Sequence, residues 1–368
     1  MPSICVILCL LLVQITASAA QITSYNDTII PIPHPITSLL WSETVHRELG
    51  FSAAQINEVE NVVSESDLPL WRLRDLPPQK RNEAAAPLIN QLNSKLAQIL
   101  SDRQLERLDQ LVWQARGIDV ILGPQVTLRL NLSSEQTGRI RTLLNISYGK
   151  ITSLKNNVDI SSESQRAAYI QNLQAETQRN ILAVLNSYQK NTFTMLMGRP
   201  FNFSRVQTVA CKAPEFEIDT WINSPPVRLS ELKGKVTVIH FYAFGCSNCI
   251  RTLPYYNDWH KKFPTSSFSI IGIHRPETEQ ERNIEKVEDK ATRARIEYPI
   301  AIDNDSLAWN SWANNIWPSI YLIDKNGFVR YWWYGELNWQ GAESEKLLAE
   351  RIRELILELV AAPDTPMN

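Results

Sequence analysis

Cys246 and Cys249 stand at a junction that few folds provide. Ahead of them, Lys235 to Ala243 contains the run Val236-Thr237-Val238-Ile239, which reads as a buried strand. From Cys246 to about Lys262 the pattern is helical. The first cysteine therefore falls where unpaired backbone N–H groups and the positive end of the helix dipole point. An anionic sulfur is favoured there. A free cysteine titrates near ~8.5, and sites of this kind lower that to roughly 3.5–7.5. Two intervening residues let both sulfurs meet at bonding distance across the first helical turn. Cys246 is the expected nucleophile, and Cys249, more buried, the thiol that resolves the mixed disulfide.

Three plainer readings compete. A structural disulfide at this spacing closes a very small loop and constrains little. A zinc site needs two more ligands, and no second Cys or His pair stands at metal-site spacing, so neither metal nor cofactor is expected. Two inert thiols leave the helix start unexplained. Redox chemistry is the reading that uses all of the features.

The rest of the C-terminal part alternates. A strand is expected over Phe268 to His274 and a charged amphipathic helix over about Glu277 to Ile296. A short strand covers Tyr298 to Ile302 and a short helix Ser306 to Asn314. Ser319 to Ile323 and Phe328 to Tyr334 read as a hairpin across Asp324-Lys325-Asn326-Gly327. A helix from Glu343 to about Val360 ends the domain. This is the thioredoxin order of elements.

Seven segments carry a resemblance: Ala213-Pro214-Glu215-Phe216, Leu229 to Lys235, the Cys pair, Arg251-Thr252-Leu253-Pro254, Gly272-Ile273-His274, Asp303-Asn304-Asp305, and Trp317-Pro318 with Tyr321 to Gly327. Together they resemble the exported thioredoxin-like oxidoreductases of the TlpA/ResA type, and within them the C-terminal domain of the DipZ-like members. The resemblance implies an α/β thioredoxin-like domain whose substrate is a protein or cytochrome-maturation disulfide. It also implies a membrane-bound electron-transfer partner. By the same resemblance Pro318 is a cis-proline beside the disulfide, and Trp317 lines or narrows the substrate groove. His240 lies six residues before Cys246, where thioredoxins carry a buried acid. It is either a proton relay for Cys249 or a hydrogen-bonded core histidine. Gly245 replaces a bulky residue, which is expected to leave Cys246 open on one side. A peroxidase of the peroxiredoxin type places Thr and Pro where this chain has Ala243 and Ile239.

Before this domain, about Trp41 to Phe201 is helical in pattern. One signature recurs there: Ser52 with Gln55, Ser101 with Gln104, Ser133 with Gln136, and Asn186 with Gln189. Each is a capping box, preceded by an apolar residue suited to a staple: Phe51, Leu100, Leu132 and Leu185. The first and third boxes lie 81 residues apart, the second and fourth 85, which indicates a duplicated unit of two boxes. The boxes resemble the L-T-x-x-Q repeats of Spy/CpxP-like periplasmic proteins, with Ser or Asn replacing Thr. That implies an envelope setting and binding of unfolded chains. A client-binding protein with an accessory redox domain is thus a second reading.

The first twenty residues set the compartment. Ile4 to Ile15 is almost wholly apolar and Thr16 to Ala20 is small, a pattern expected of a secretory signal. Cys5 and Cys9 would leave with it, so Cys211, Cys246 and Cys249 remain. Three cysteines are too few for a disulfide scaffold, and Cys211 reads as a free thiol. The expected organisation is a signal over 1–20, a flexible leader over 21–40, a helical domain over 41–200, a linker over 201–212, the thioredoxin-like domain over 213–361 and a tail over 362–368. Localisation is therefore expected in the periplasm or cell envelope. Net charge is -2, which gives nucleic acid no electrostatic footing. The sequons at Asn26, Asn131, Asn145, Asn202 and Asn304 carry meaning only in a eukaryotic secretory pathway.

Overall fold

All four capping boxes form, and they form in pairs. A computed structural model describes residues 32–153 and 163–358, in two compact units, Met1–Thr208 and Val209–Asn368. The expected signal and tail lie outside the described residues.

The first unit is helical. Its helices are α1 (Pro35–Leu40), α2 (Glu43–Leu49), α3 (Ala53–Trp71), α4 (Pro78–Ile99), α5 (Asp102–Arg116), α6 (Pro124–Leu130), α7 (Ser134–Ser153), α8 (Glu163–Val184) and α9 (Ser187–Met197). In the first pair, Gln55 Oε1 accepts from the Ser52 amide (3.1 Å) and Gln104 Oε1 from the Ser101 amide (2.9 Å). Each glutamine then reaches across. Gln55 Nε2 donates to the Ile99 carbonyl (3.1 Å), the last of α4, and Gln104 Nε2 donates to the Leu49 carbonyl (3.2 Å), the last of α2. Gln136 and Gln189 repeat the arrangement, on the carbonyls of Val184 (3.1 Å) and Leu130 (3.2 Å). The two amides of each pair also bond one another. A helix end leaves carbonyls without partners, and each glutamine satisfies one in the facing helix end as well as an amide in its own.

The duplication extends to the cores. Val59, Leu92, Leu96 and Leu111 belong to one, and Ile140, Leu144, Ile181 and Leu185 to the other. Gln189 is 4% exposed. Gln189→Ala removes its own cap bond and both crossing bonds at once. We expect a loss of about 2–3 kcal/mol, at roughly 1 kcal/mol per net bond, read from the urea midpoint and from amide exchange in α9. A change below the scatter of surface substitutions would mean that the clasp adds nothing.

Two boundary expectations are corrected. The leader over 21–40 becomes helix from Pro35, with Ile36, Leu39 and Leu40 buried. The reason is local: His34 caps it through the Ile36 amide (3.3 Å), and proline presets the first turn. The linker over 201–212 is built into structure at its start and its end. Phe201 and Phe203 meet edge-on at 4.9 Å and join the first helical core, while Cys211–Lys212 is a strand.

The second unit is a thioredoxin-like α/β domain around a mixed seven-stranded sheet. Its strands are β1 (Cys211–Lys212), β2 (Trp221–Ile222), β3 (Val236–Tyr242), β4 (Phe268–His274), β5 (Ile300–Ile302), β6 (Ser319–Ile323) and β7 (Phe328–Tyr334), in the order β1-β7-β6-β3-β4-β5-β2. β3, β4 and β5 run parallel; β6 runs antiparallel to β3 and to β7. The helices are α10 (Ser247–Lys262), α11 (Ile284–Arg293), α12 (Leu307–Ser311) and α13 (Ser344–Leu357). Every residue of β3 is buried, as a central strand covered on both faces requires. The edge strands β1 and β2 are too short to show a period in sequence. The helix expected over Glu277 to Ile296 is broken. A short 3-10 turn, Glu279–Arg282, precedes α11, and Asn283 starts α11 by accepting from the Lys286 amide (2.8 Å).

Candidate functional site

β3 ends at Tyr242 in the middle of the sheet, and α10 begins five residues later. Cys246 is the N-cap of that helix, with extended backbone, and its sulfur accepts the Cys249 amide at 3.3 Å. The side chain thus takes the place that a capping oxygen usually fills, where negative charge is stabilised. Cys246 and Cys249 are joined as a disulfide, Cα to Cα 5.3 Å. Cys246 is half-buried, whereas Cys249 is 1% exposed. That asymmetry follows from α10, whose inner face carries Cys249, Thr252, Leu253, Tyr256 and Trp259. The turn is further tied by Arg251, which bonds the Asn248 carboxamide and pairs with Glu336 at 2.8 Å. Cys211 lies buried in the edge strand, opposite Val329.

Trp317 and Pro318 come to the same end of the sheet. Ser319, next in the chain, pairs with Phe241 near the end of β3, and the Trp317–Pro318 peptide is cis. The Trp317 ring lies 4.2 Å from that of Trp309 on α12, and the Arg275 guanidinium sits over both, at 4.9 and 5.1 Å. Asp303 holds α12 in place by accepting the amides of Ala308 (3.2 Å) and Trp309 (2.8 Å).

His240 is fully buried and stacks on Tyr256 at 4.1 Å. Neither ring nitrogen has a hydrogen-bond partner, so the hydrogen-bonded core histidine is not what forms. Burial lowers its pKa from 6.5 to about 3. The same burial disfavours the protonated imidazole that a relay would need. A thiol proton, held near ~8.5 in an ordinary cysteine, would have to climb onto a very weak base. His240 packs as an aromatic plate between β3 and α10.

His274, from the segment Gly272-Ile273-His274, and Glu281, which no sequence motif singled out, hold the loop before Cys246. His274 Nε2 accepts the Phe244 amide at 3.3 Å, and the two rings stack at 5.6 Å. Burial lowers the pKa of His274 to about 4, with the nearby Glu281 pulling the other way. Glu281 is 2% exposed and accepts the amides of Gly245 (2.6 Å), Glu277 (2.7 Å) and Thr278 (2.8 Å). A Cβ on Gly245 would lie 2.6 Å from Glu281 Oε1. The space a side chain would take there is occupied by this carboxylate, while Gly245 itself is exposed. The spacing Thr278-x-x-Glu281 is a capping-box pattern, and it was the available signal.

Residues 209–332 match the AhpC/TSA family. Among curated relatives, DipZ of Mycobacterium bovis is 38% identical over 136 residues, which is 36% of this chain and 20% of that protein. The thiol-disulfide oxidoreductase ResA of Bacillus cereus is 28% identical over 138 residues, 37% of this chain and 75% of that protein. A solved thioredoxin-like superfamily protein is 27% identical, with a TM-score of 0.37, across 40% of this chain and 98% of its own. The chain thus spans about a fifth of the length of DipZ. The C-terminal domain is homologous to thiol-disulfide oxidoreductases. The likeness of the helical unit to Spy/CpxP-like proteins finds no support among these relatives.

The segment similar to AhpC/TSA proteins carries its two cysteines as a disulfide-bonded CxxC pair. Ala243 and Ile239, where a peroxiredoxin has Thr and Pro, are both fully buried hydrocarbon and offer a peroxide no hydroxyl. Among the described residues, no group of three or more His, Cys, Asp or Glu is arranged to hold a metal ion.

Proposed function

We propose that this protein exchanges disulfides with extracytoplasmic protein substrates through Cys246 and Cys249. One observation carries the reading: the disulfide caps α10 with one sulfur accessible and the other buried. In the reducing direction, the Cys246 thiolate attacks a substrate disulfide, forms a mixed disulfide and expels one substrate thiolate. Cys249 loses its proton and attacks Cys246 Sγ, releasing the second substrate thiolate. The two electrons pass to the substrate, and the protein is left as the disulfide. Export is supported by the apolar run and small residues of 1–20, and a membrane-bound electron donor by the likeness to DipZ and ResA. Turnover of insulin or scrambled ribonuclease by the full chain tests this. A Cys246→Ser protein that still suppresses aggregation, from a parent that exchanges no disulfide, would favour the client-binding reading.

Trp317, packed on Trp309 and under Arg275, is the proposed wall of the substrate groove. Trp317→Ala should raise KM more than it lowers kcat, with kcat/KM down about tenfold, the scale of an aromatic anchor. Unchanged kinetics toward every protein disulfide would remove it from the groove.

A further inference from the structure

The loop from Phe244 to Cys246 meets a charge that the exchange reaction does not use. Glu281 stands on a short turn after β4, yet its carboxylate is turned inward and spends its bonds on backbone amides. The Thr278 hydroxyl adds a further contact at 3.3 Å. A carboxylate in this position does two things. It fixes the residue that immediately precedes the nucleophile, at 2.6 Å from the Gly245 nitrogen. It also places a negative charge one residue from the sulfur that must itself become negative.

Other ionisable groups stand on the elements around the loop. Arg251 on α10 is paired with Glu336, which follows β7. Arg275, just past β4, lies over Trp309 and Trp317 and donates to Ser306 Oγ at 3.1 Å. His274 is neutral near pH 7 because it is buried. Tyr242, at the end of β3, has its pKa raised by burial and stays protonated. Among these groups, Glu281 is the acidic side chain hydrogen-bonded to the backbone between Phe244 and Cys246.

We propose that Glu281 is a positioning residue of the dithiol: it holds the loop through Gly245 and, by opposing a thiolate at Cys246, lowers the reduction potential of the pair. The reduced form is the one that carries the thiolate. Disfavouring it makes the protein a better donor of electrons, which gives the exchange a direction. The inference rests on the thiol–disulfide reading above.

The sign follows from charge. In E281Q the carboxamide oxygen can still accept an amide, but the negative charge is gone. The Cys246 thiolate is then less opposed, so its pKa falls and the dithiol gains. Equilibrated against glutathione at pH 7, the full-length E281Q protein should shift about fivefold toward the dithiol, which is about 20 mV for a two-electron couple. The pH profile of Cys246 alkylation should move down in parallel. G245A supplies the steric counterpart: its Cβ displaces the carboxylate, and the profile should move in the same direction as in E281Q.

A folded E281Q protein with the wild-type potential and alkylation profile overturns the proposal and leaves Glu281 a turn cap. Should E281Q not fold, the wild-type protein decides. Coupling between two charges is reciprocal, so the Glu281 carboxyl carbon resonance must move as Cys246 ionises, and a resonance that stays still overturns the proposal. These readouts concern the thiols alone. If the protein turns over no protein disulfide while they behave as expected, the functional reading fails and the electrostatic one stands.

Discussion

A Cys249→Ser protein will accumulate as a mixed disulfide with its substrate, while Cys246→Ser will neither trap substrate nor turn it over. The asymmetry comes from α10. Cys246 caps the helix start and is half-buried, so a substrate sulfur can reach it. Cys249 is 1% exposed on the inner face, so no substrate can. Without Cys249 the attack occurs and nothing resolves the adduct. Without Cys246 the remaining thiol is out of reach and turnover falls to background. Non-reducing electrophoresis and mass spectrometry of the adduct distinguish the cases. Equal trapping by both single variants would mean that the two sulfurs are interchangeable, against the burial difference.

The second large effect is a loss of stability on mild acidification. His240 and His274 are held neutral by burial, with pKa values near 3 and 4 against an ordinary 6.5. Below 6.5 the unfolded chain takes up protons that the folded domain refuses. Stability is therefore complete above about 6.5 and falls as pH drops toward the folded values. The slope approaches ~1.4 kcal/mol per pH unit for each imidazole. Between about pH 6.5 and 5 the two should together cost roughly 3 kcal/mol. Asp303 and Asp324 work the other way, since burial raises their pKa values and acid relieves them. They act mainly lower, where carboxyls titrate. His240→Leu should remove about half the slope, read by native-state exchange of the β3 amides. The same variant should leave the pH dependence of disulfide exchange as it was. A β3 whose protection is independent of pH over this window would show that the imidazoles are reached by protons in the folded state.

The thioredoxin-like order was legible because its signals are local and strong. β3 is a β-branched run, the hairpin turn holds Asp-Lys-Asn-Gly, and α10 starts at a cysteine. β4, β6 and β7 lie where the pattern puts them. The helical boxes were legible for the same reason, since a cap and its glutamine sit three residues apart. Their crossing bonds were not, because Gln55 and Gln104 meet only when two helix ends are brought together. Glu281 was hidden differently. It lies in a stretch so rich in charge that it reads as a solvated helix face, and only tertiary burial turns this one carboxylate inward. His240 showed its position but not its state, because the pKa of an imidazole depends on what surrounds it.

The glutamine pairs have a consequence of another kind. Residues 32–208 contain no cysteine, and the reciprocal amides fasten helix ends about fifty positions apart with no sulfur involved. A dithiol or disulfide that switches the other half of the chain has no cysteine to exchange with there. The helical half offers thiol–disulfide exchange no site, and its helix ends are clasped by amide hydrogen bonds in place of sulfur.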